Sequence, residues 1–562
     1  MEQTVERRGV IMVARLIGLA GWMRVVQMWS LHPIVWDEIE YFRATEWVSR
    51  GLVPYRDFWE HHTPLQWFVF APIAALTSSA GVRAILDMRL AQLPLWIATL
   101  ILMVVWMRRA GSGALAAALA VLFAVCSTRF MLGAMEYRVD ALGCALYVAA
   151  LFFLQRNRGI AGGVMLCLAG FANIRLGPLL VLTLLITKVR WRAIAGAAAA
   201  FAACAMYFVA THSVGAAIQR VWTENYLADR YSAEPSMAMI RRLATPFGIV
   251  ADGFDLAAVD VGTIVIFAAG LAGLLHALIK RDSDDHVRLA VLQIANIAFI
   301  ASMKFIYHYH FLIIVLLALP FVARIADLLL ERNALRTVAV VALVAVTVSG
   351  FASLLRGKED DLEYQDLIMR EVDRLTPPGG RVFDGVGYAI RREPAYRYWF
   401  LAQIVRVLEA RGTFERYDIT ADPPDAVIVD IPMRQWLAAH RDQGEYVRRH
   451  YLPLWPELWL PGMSARLTAE RPQAEWIVPV NGIYRLQTPG EVTLSVDGLP
   501  APLSGTLSLR KRQRVRVAAP GAVKSMDVFL IRGGTPPLFN RPPEGVSLDA
   551  AAPPHTHWPR HW

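Results

Sequence analysis

The chain of 562 residues is 56% hydrophobic and 19% charged, with a mean hydropathy of +0.39, more apolar side chain than a water-soluble core of that size hides. A soluble globular enzyme is excluded and a polytopic membrane protein follows. The formal charge of +10 is read through topology: Lys and Arg collect in short loops between apolar runs, so nucleic acid is not the partner they imply.

In chain order, Arg7 and Arg8 put the N-terminus in the cytoplasm, ahead of an apolar run from Ile11 to Trp29 interrupted by Arg15 and Arg24. At about 1.5 Å per residue this run crosses a bilayer. It is too long for a signal peptide's apolar core and reads as an uncleaved first span. It delivers the stretch from Trp36 to Leu65, dense in ionisable groups, to the outer face. Leu65 to Leu76 is expected to lie in the outer interface, and Ile85 to Met107 to cross inward to Arg108 and Arg109.

The later loops alternate on the same rule. Leu115 to Phe130 exits, Asp140 to Leu154 re-enters, two short segments around Ile174 and Arg175 go out and back, and Ile194 to Ala210 exits before an outer loop from Thr211 to Asp255. Leu256 to Ile279, Val287 to Met303, Phe311 to Ala326 and Val338 to Leu355 complete about eleven or twelve membrane segments. All four cysteines (Cys126, Cys144, Cys167, Cys204) fall in apolar runs, as packing residues do.

The expected organisation is a membrane domain over residues 1–355 with its first outer loop at 30–85, then an extracytoplasmic tail. Strand, helix, strand over 356–473 implies a small α/β unit. Alternating segments over 474–549 imply a β module, and 550–562 reads as disordered. The fold class is thus mostly α, with a C-terminal α/β plus β domain. The location expected is a bacterial inner membrane, multi-pass, with membrane lipids around it.

Asp37 stands three residues before Glu40, at the start of a helical pattern ending at Gly51. One reading is an N-cap with its capping-box partner; the other is a carboxylate acting as general base at the membrane face. Glu136 and Asp140 flank Arg138 at the mouth of a later span, where an acidic side chain also suits a helix's first turn. Arg175 sits where a broken helix would leave free backbone groups, or it snorkels to the headgroups. The cations Arg138, Arg175 and Lys304, with His308 or His310, suit an anionic head such as phosphate. A divalent metal is left open, since no ligand spacing specifies one.

The pair Asp37–Glu38 after a first span, followed by GLVPYRDFWEHHTPL with its G-x-x-P-Y-x-D element (Gly51, Pro54, Tyr55, Asp57), resembles the GT-C-type membrane glycosyltransferases, in particular the protein O-mannosyltransferase and aminoarabinose-transferase superfamily. Arg138-x-Asp140 opening a span and the aromatic-histidine segment Tyr307 to His310 add to the resemblance, which covers about Ile11 to Leu330. It implies a polyprenyl-phosphate sugar donor, an inverting transfer on the outer face and a hydroxyl acceptor that is protein, lipid or glycan. Carried over by position, Asp37 is the catalytic carboxylate and Asp140 the second acidic residue. Glu38 joins Asp140 in orienting sugar or metal, and Asp37 with Asp140 would hold a metal if one is used. Where relatives carry Lys-Pro, this chain has His62, Thr63 and Pro64, so His61, His62 or Arg138 supplies the charge for the phosphate. Arg175, Lys304, His308 and His310 are expected around the same phosphate, with Tyr55, Asp57, Glu60, Glu136 and Tyr307 against substrate. Two other classes stay open: a transporter or lipid flippase with an outer accessory domain, and an envelope assembly protein that binds glycan.

Overall fold

The computed structural model describes residues 2–30, 32–77, 79–231, 247–250, 253–280, 284–303, 307–354, 361–401, 403–454, 457–503, 506–521 and 526–533. The chain divides into two compact units, one holding the helices up to Leu362 and the other running from Glu363 onward.

Among the described residues of the first unit, five helices are long and apolar enough to cross a membrane: Arg8–Ser30, Arg83–Arg109, Arg190–Ala210, Val261–Lys280 and His308–Glu331. A sixth candidate is the pair Ala114–Cys126 and Thr128–Met135, bent by 73°. The bend has a chemical cause. The Ser127 side chain caps the second helix by accepting from the Phe130 N–H, and Asp260 accepts from the Arg129 N–H, so backbone groups freed by the break are satisfied. Shorter apolar helices (Leu65–Leu76, Val139–Gln155, Gly159–Ala172, Ile174–Ile186 and Thr337–Ala352) fill the bundle. The span expected from Leu256 begins instead at Val261, because Gly253–Val259 is a strand paired with Phe247–Val250.

The helix Ala114–Cys126 and the part of Phe311–Glu331 up to Ala323 are apolar on every side and form the centre of the core, as a helix surrounded by other helices must be. Elsewhere small residues allow close backbone approach. Gly159–Ala172 packs on Arg190–Ala210 so tightly that a Cβ on Gly163 would lie 1.8 Å from the Ala193 carbonyl oxygen.

In the second unit, parallel strands Arg381–Asp384, Glu393–Pro394 and Ala426–Ile428 carry the α/β part, flanked by Asp361–Leu375, Gln403–Ala410 and Ile431–Ala439. Strand Leu458–Leu467 pairs with Ala426–Ile428 on one edge and Met526–Arg532 on the other. One sheet therefore runs across the boundary expected between 473 and 474. That sheet faces a four-stranded one containing Gln473–Ile477 and Arg514–Ala518, over a core of Trp476, Tyr484, Val515, Val528 and Leu530. Residues 550–562, expected to be disordered, lie outside the described residues.

Gly163→Ala should lower the thermal midpoint of the detergent-solubilised protein by the equivalent of about 1–3 kcal/mol, the usual penalty of overpacking. Gly18→Ala, where a Cβ meets nothing within 4 Å, should not lower it; differential scanning fluorimetry on both variants checks the contrast.

Candidate active site

The helix Trp36–Ser49 organises the site. Its N-cap is Val35, two residues before the cap expected at Asp37, and the Glu38 carboxylate reaches back to accept the Val35 N–H at 3.0 Å. Asp37 is thereby free of capping duty. Glu38 is fully buried and takes both prongs of the equally buried Arg89 guanidinium, at 2.7 and 2.5 Å, and also the Tyr137 N–H at 2.8 Å. Arg89 further donates to the carbonyls of Met28, His32 and Pro33. Glu38 thus ties the end of the first helix, the helix 36–49 and the segment at Tyr137 together and does not join the groups described next.

Arg138 is the hub of those groups. One Nη donates to Asp37 Oδ2 at 2.7 Å, Nε donates to Asp140 Oδ2 at 3.3 Å, and Glu136 Oε2 lies 3.9 Å away. The guanidinium lies 3.6 Å over the Tyr309 ring and 5.6 Å from the Tyr41 ring, a favourable placement for a desolvated cation. Asp140 accepts a second bond from Asn173 at 2.8 Å, while Glu136 pairs with His308 at 2.9 Å and faces His32 at 3.7 Å. Gln92 holds the turn bearing Glu136 by donating to the Met135 carbonyl at 2.9 Å.

Within this set Asp37 differs from its neighbours. Its side chain is 33% exposed, against 6% for Asp140 and 1% for Glu136. Burial pushes its carboxyl up, but the charge of Arg138 and its hydrogen bond outweigh that and hold it below the ordinary carboxylate value. Asp37 is therefore ionised at neutral pH and reachable. The Glu136 carboxyl is likewise held low, its burial outweighed by His308, His32 and Arg138.

Arg175, on the short turn Ile174–Leu176 that breaks the helix pair, also reaches the Tyr309 ring, at 5.4 Å. Asn173 makes that turn by accepting the Arg175 N–H. His310 Nδ1 accepts the Tyr307 N–H at 3.0 Å, which leaves its Nε2 as the free ring nitrogen. Among the described residues, Arg138 Nη2, Arg175 Nη1 and His310 Nε2 are buried without a hydrogen-bond partner, around one tyrosine. Tyr307 stacks on Tyr309 at 5.3 Å. Lys304, expected beside the phosphate, lies outside the described residues.

A second cluster adjoins the first through Tyr41, whose hydroxyl is 3.1 Å from His62 Nε2. It consists of Glu40, Glu60, His61 and His62, whose ligand-type atoms all lie within 4.8 Å of one another. Burial and the neighbouring Glu60 push Glu40 up to about 8. Burial acts on Glu60 too, but His61 and His62 beside it outweigh it and hold that carboxyl low. Burial opposes charge on both histidines; Glu40 and Glu60 overcome it at His61, raised to about 10, whereas His62, beside His61, falls to about 4. Tyr55 has a left-handed backbone (φ 68°) and donates its hydroxyl to the His62 carbonyl at 2.6 Å. Asp57 accepts the Val53 N–H at 2.7 Å and pairs with Arg56. Tyr55 and Asp57 thus shape the loop that carries the cluster. A cation between Asp37 and Asp140 would meet Arg138, which already bridges them, so the convergent metal-type donors are the other four.

Sequence reasoning gave no site role to Tyr41, Arg89 or Asn173, left Glu40 out of the site, and included Tyr309 in the aromatic-histidine segment without a role of its own. The spacing from Asp37 to Glu40 and Tyr41, three and four residues, puts them on one helical face. Nothing local marks Arg89 or Asn173.

Residues 61–303 match the model of glycosyltransferase family 87, a stretch that includes Arg138, Asp140 and Arg175 but neither Asp37 nor His308. No curated protein matches the chain. Among solved structures, ArnT from Cupriavidus metallidurans bound to undecaprenyl phosphate superposes with a TM-score of 0.53 at 12% identity, over 90% of this chain and 97% of that one; ArnT in the apo state gives 0.52 over the same shares. The chain thus has an ArnT-like fold and, over residues 61–303, is similar to glycosyltransferase family 87.

Arg89→Met leaves Glu38 buried without its cation, a change that costs about 3–5 kcal/mol. The variant should lose most of its folded yield or unfold far below the parent in a thermal melt, whereas Arg50→Met, at an exposed pair, should shift the midpoint by less than about 1 kcal/mol equivalent.

Proposed function

We propose that the protein moves a sugar from a polyprenyl-phosphate carrier to a hydroxyl acceptor, at the extracytoplasmic face of a bacterial inner membrane. The observation that carries this reading is the pairing of one reachable, ionised carboxylate, Asp37, with three unpartnered nitrogens around Tyr309, on Arg138, Arg175 and His310. Two guanidiniums in a desolvated site are suited to a phosphate. Outside the cytoplasmic membrane no pool of nucleotide sugars is expected, so a donor carried by a membrane lipid fits a site at a bundle end.

The chemistry assigns roles. Asp37 takes the proton of the acceptor hydroxyl as its oxygen attacks the anomeric carbon from the side opposite the phosphate, which inverts that carbon. The bond from the anomeric carbon to the phosphate oxygen breaks, and the electron pair leaves with the lipid phosphate. A phosphate is already a weak base, so it needs fixed positive charge more than a proton, and Arg138 and Arg175 supply it. Asp140, held by Asn173 and Arg138, orients Arg138, as does Glu136 from the His308 side. Glu38 supports the helix from behind.

With a lipid-linked sugar in reconstituted vesicles, Asp37→Asn should lower turnover by about 10²–10⁴-fold, the usual share of a general base, while donor binding persists. Arg175→Met should act mainly on the KM for the donor. Parent-like turnover in Asp37→Asn removes the assignment. The sidedness is checked by an impermeant thiol reagent on intact cells, in a chain whose native cysteines are replaced: a cysteine at position 56 should label and one at position 109 should not.

A further inference from the structure

The cluster beside the proposed reaction centre differs from the rest of the site in its counter-groups. Glu38 has Arg89, Asp37 has Arg138, and Glu136 has His308 with Arg138 at its edge. Glu40 and Glu60 are as deeply buried, 1% and 0% exposed, yet among the described residues neither pairs with a lysine or arginine. Two carboxylates and two imidazoles converging in a buried site are the donor types of a metal shell. Hydrogen bonding does not complete the set either: Glu40 Oε1, Glu60 Oε2 and His61 Nδ1 are buried without a partner among the described residues.

The distances between the four side chains match one kind of ligand. His61 Nδ1 lies 3.3 Å from Glu40 Oε1 and 3.4 Å from Glu60 Oε1; His62 Nδ1 lies 3.7 Å and 2.9 Å from the same two atoms. A tetrahedral ion with bonds near 2.05 Å keeps its ligand atoms about 3.3 Å apart. Four of the six edges of such a shell thus lie between 2.9 and 3.7 Å before any ion enters, and all four ligand-type atoms fall within 4.8 Å of one another. Their outer contacts fit as well. His62 turns its other nitrogen to the Tyr41 hydroxyl, the kind of second contact that fixes a ligating imidazole, while the His61 ring stacks on Trp59 and its carbonyl accepts from Asn225.

We infer that Glu40, Glu60, His61 and His62 bind one divalent metal ion, with Zn²⁺ the best match to two imidazole nitrogens and two carboxylate oxygens in a tetrahedron. The ion pins the turn at residues 60–62 to the helix that carries Asp37 and Tyr41. Its role is to hold that helix face, since all four positions are filled by protein and no ligand position is left for substrate. The inference does not depend on which donor or acceptor the enzyme uses.

The experiment uses the full-length, tag-free protein in detergent, incubated with zinc sulfate, desalted and analysed by inductively coupled plasma mass spectrometry. About one Zn²⁺ per chain is expected, with a thermal midpoint that falls on chelation and returns on adding zinc, as for a site whose binding energy is folding energy. The double variant His61→Ala/His62→Ala should retain less than about a tenth of an ion under the same mass action. Asp37→Asn should keep the full ion while losing turnover, so the metal site and the proposed reaction fail or stand separately. If the double variant does not fold, Co²⁺ loaded into the parent decides alone: an intense visible band marks a tetrahedral site with nitrogen ligands. Parent protein that holds less than a tenth of an ion, a double variant that holds as much as the parent, or Co²⁺ protein without that band overturns the inference.

Discussion

A guanidinium that is 1% exposed cannot stand alone, and the placement of Arg138 is the constraint from which the site follows. Removing the charge from water costs several kcal/mol, recovered only if carboxylates and aromatic faces close around it. Asp37 comes from the helix after the first span, Asp140 from the helix that Arg138 itself opens, and Tyr309 from the turn before the helix Phe311–Glu331. Three segments separated by about a hundred residues or more are thereby brought to one point.

The same logic separates duties among neighbouring carboxylates. Asp37 and Glu38 are adjacent in sequence but about 100° apart on the helix, so one stays partly exposed and the other is fully buried. Glu38 meets Arg89 there and becomes a tie between elements. Asp37 meets Arg138 and keeps a third of its surface exposed, the condition for meeting an acceptor. Glu40 and Tyr41, three and four residues on, return to the Asp37 side and connect the groups around Arg138 with the cluster at Glu60, His61 and His62. One helix of fourteen residues therefore addresses three environments.

The tail shows a comparable sharing. Strand Leu458–Leu467 is buried over its first six residues and alternates toward its end. The first part serves the α/β layer and the second the β sandwich. Alternation over the later strands marked the β character correctly, but a strand that belongs to two neighbours at once carries no local sign of a second partner.

What the amino-acid order determined by itself was the class of molecule and the chemistry it could host. Apolar composition requires a membrane, and the ionisable residues after the first apolar run stand out because charge beside hydrocarbon is costly. Arg138, Asp140, Arg175, His308 and His310 were visible for the same reason. What only the tertiary structure decided was pairing. Helical spacing sets which side chains share a face but not what that face meets, so Glu38 found Arg89 at a separation of 51 residues, Asp140 found Asn173 and two arginines found Tyr309. A buried ion pair depends on the partner's position in space, and a separation of tens or hundreds of residues leaves no periodic trace for the sequence to show.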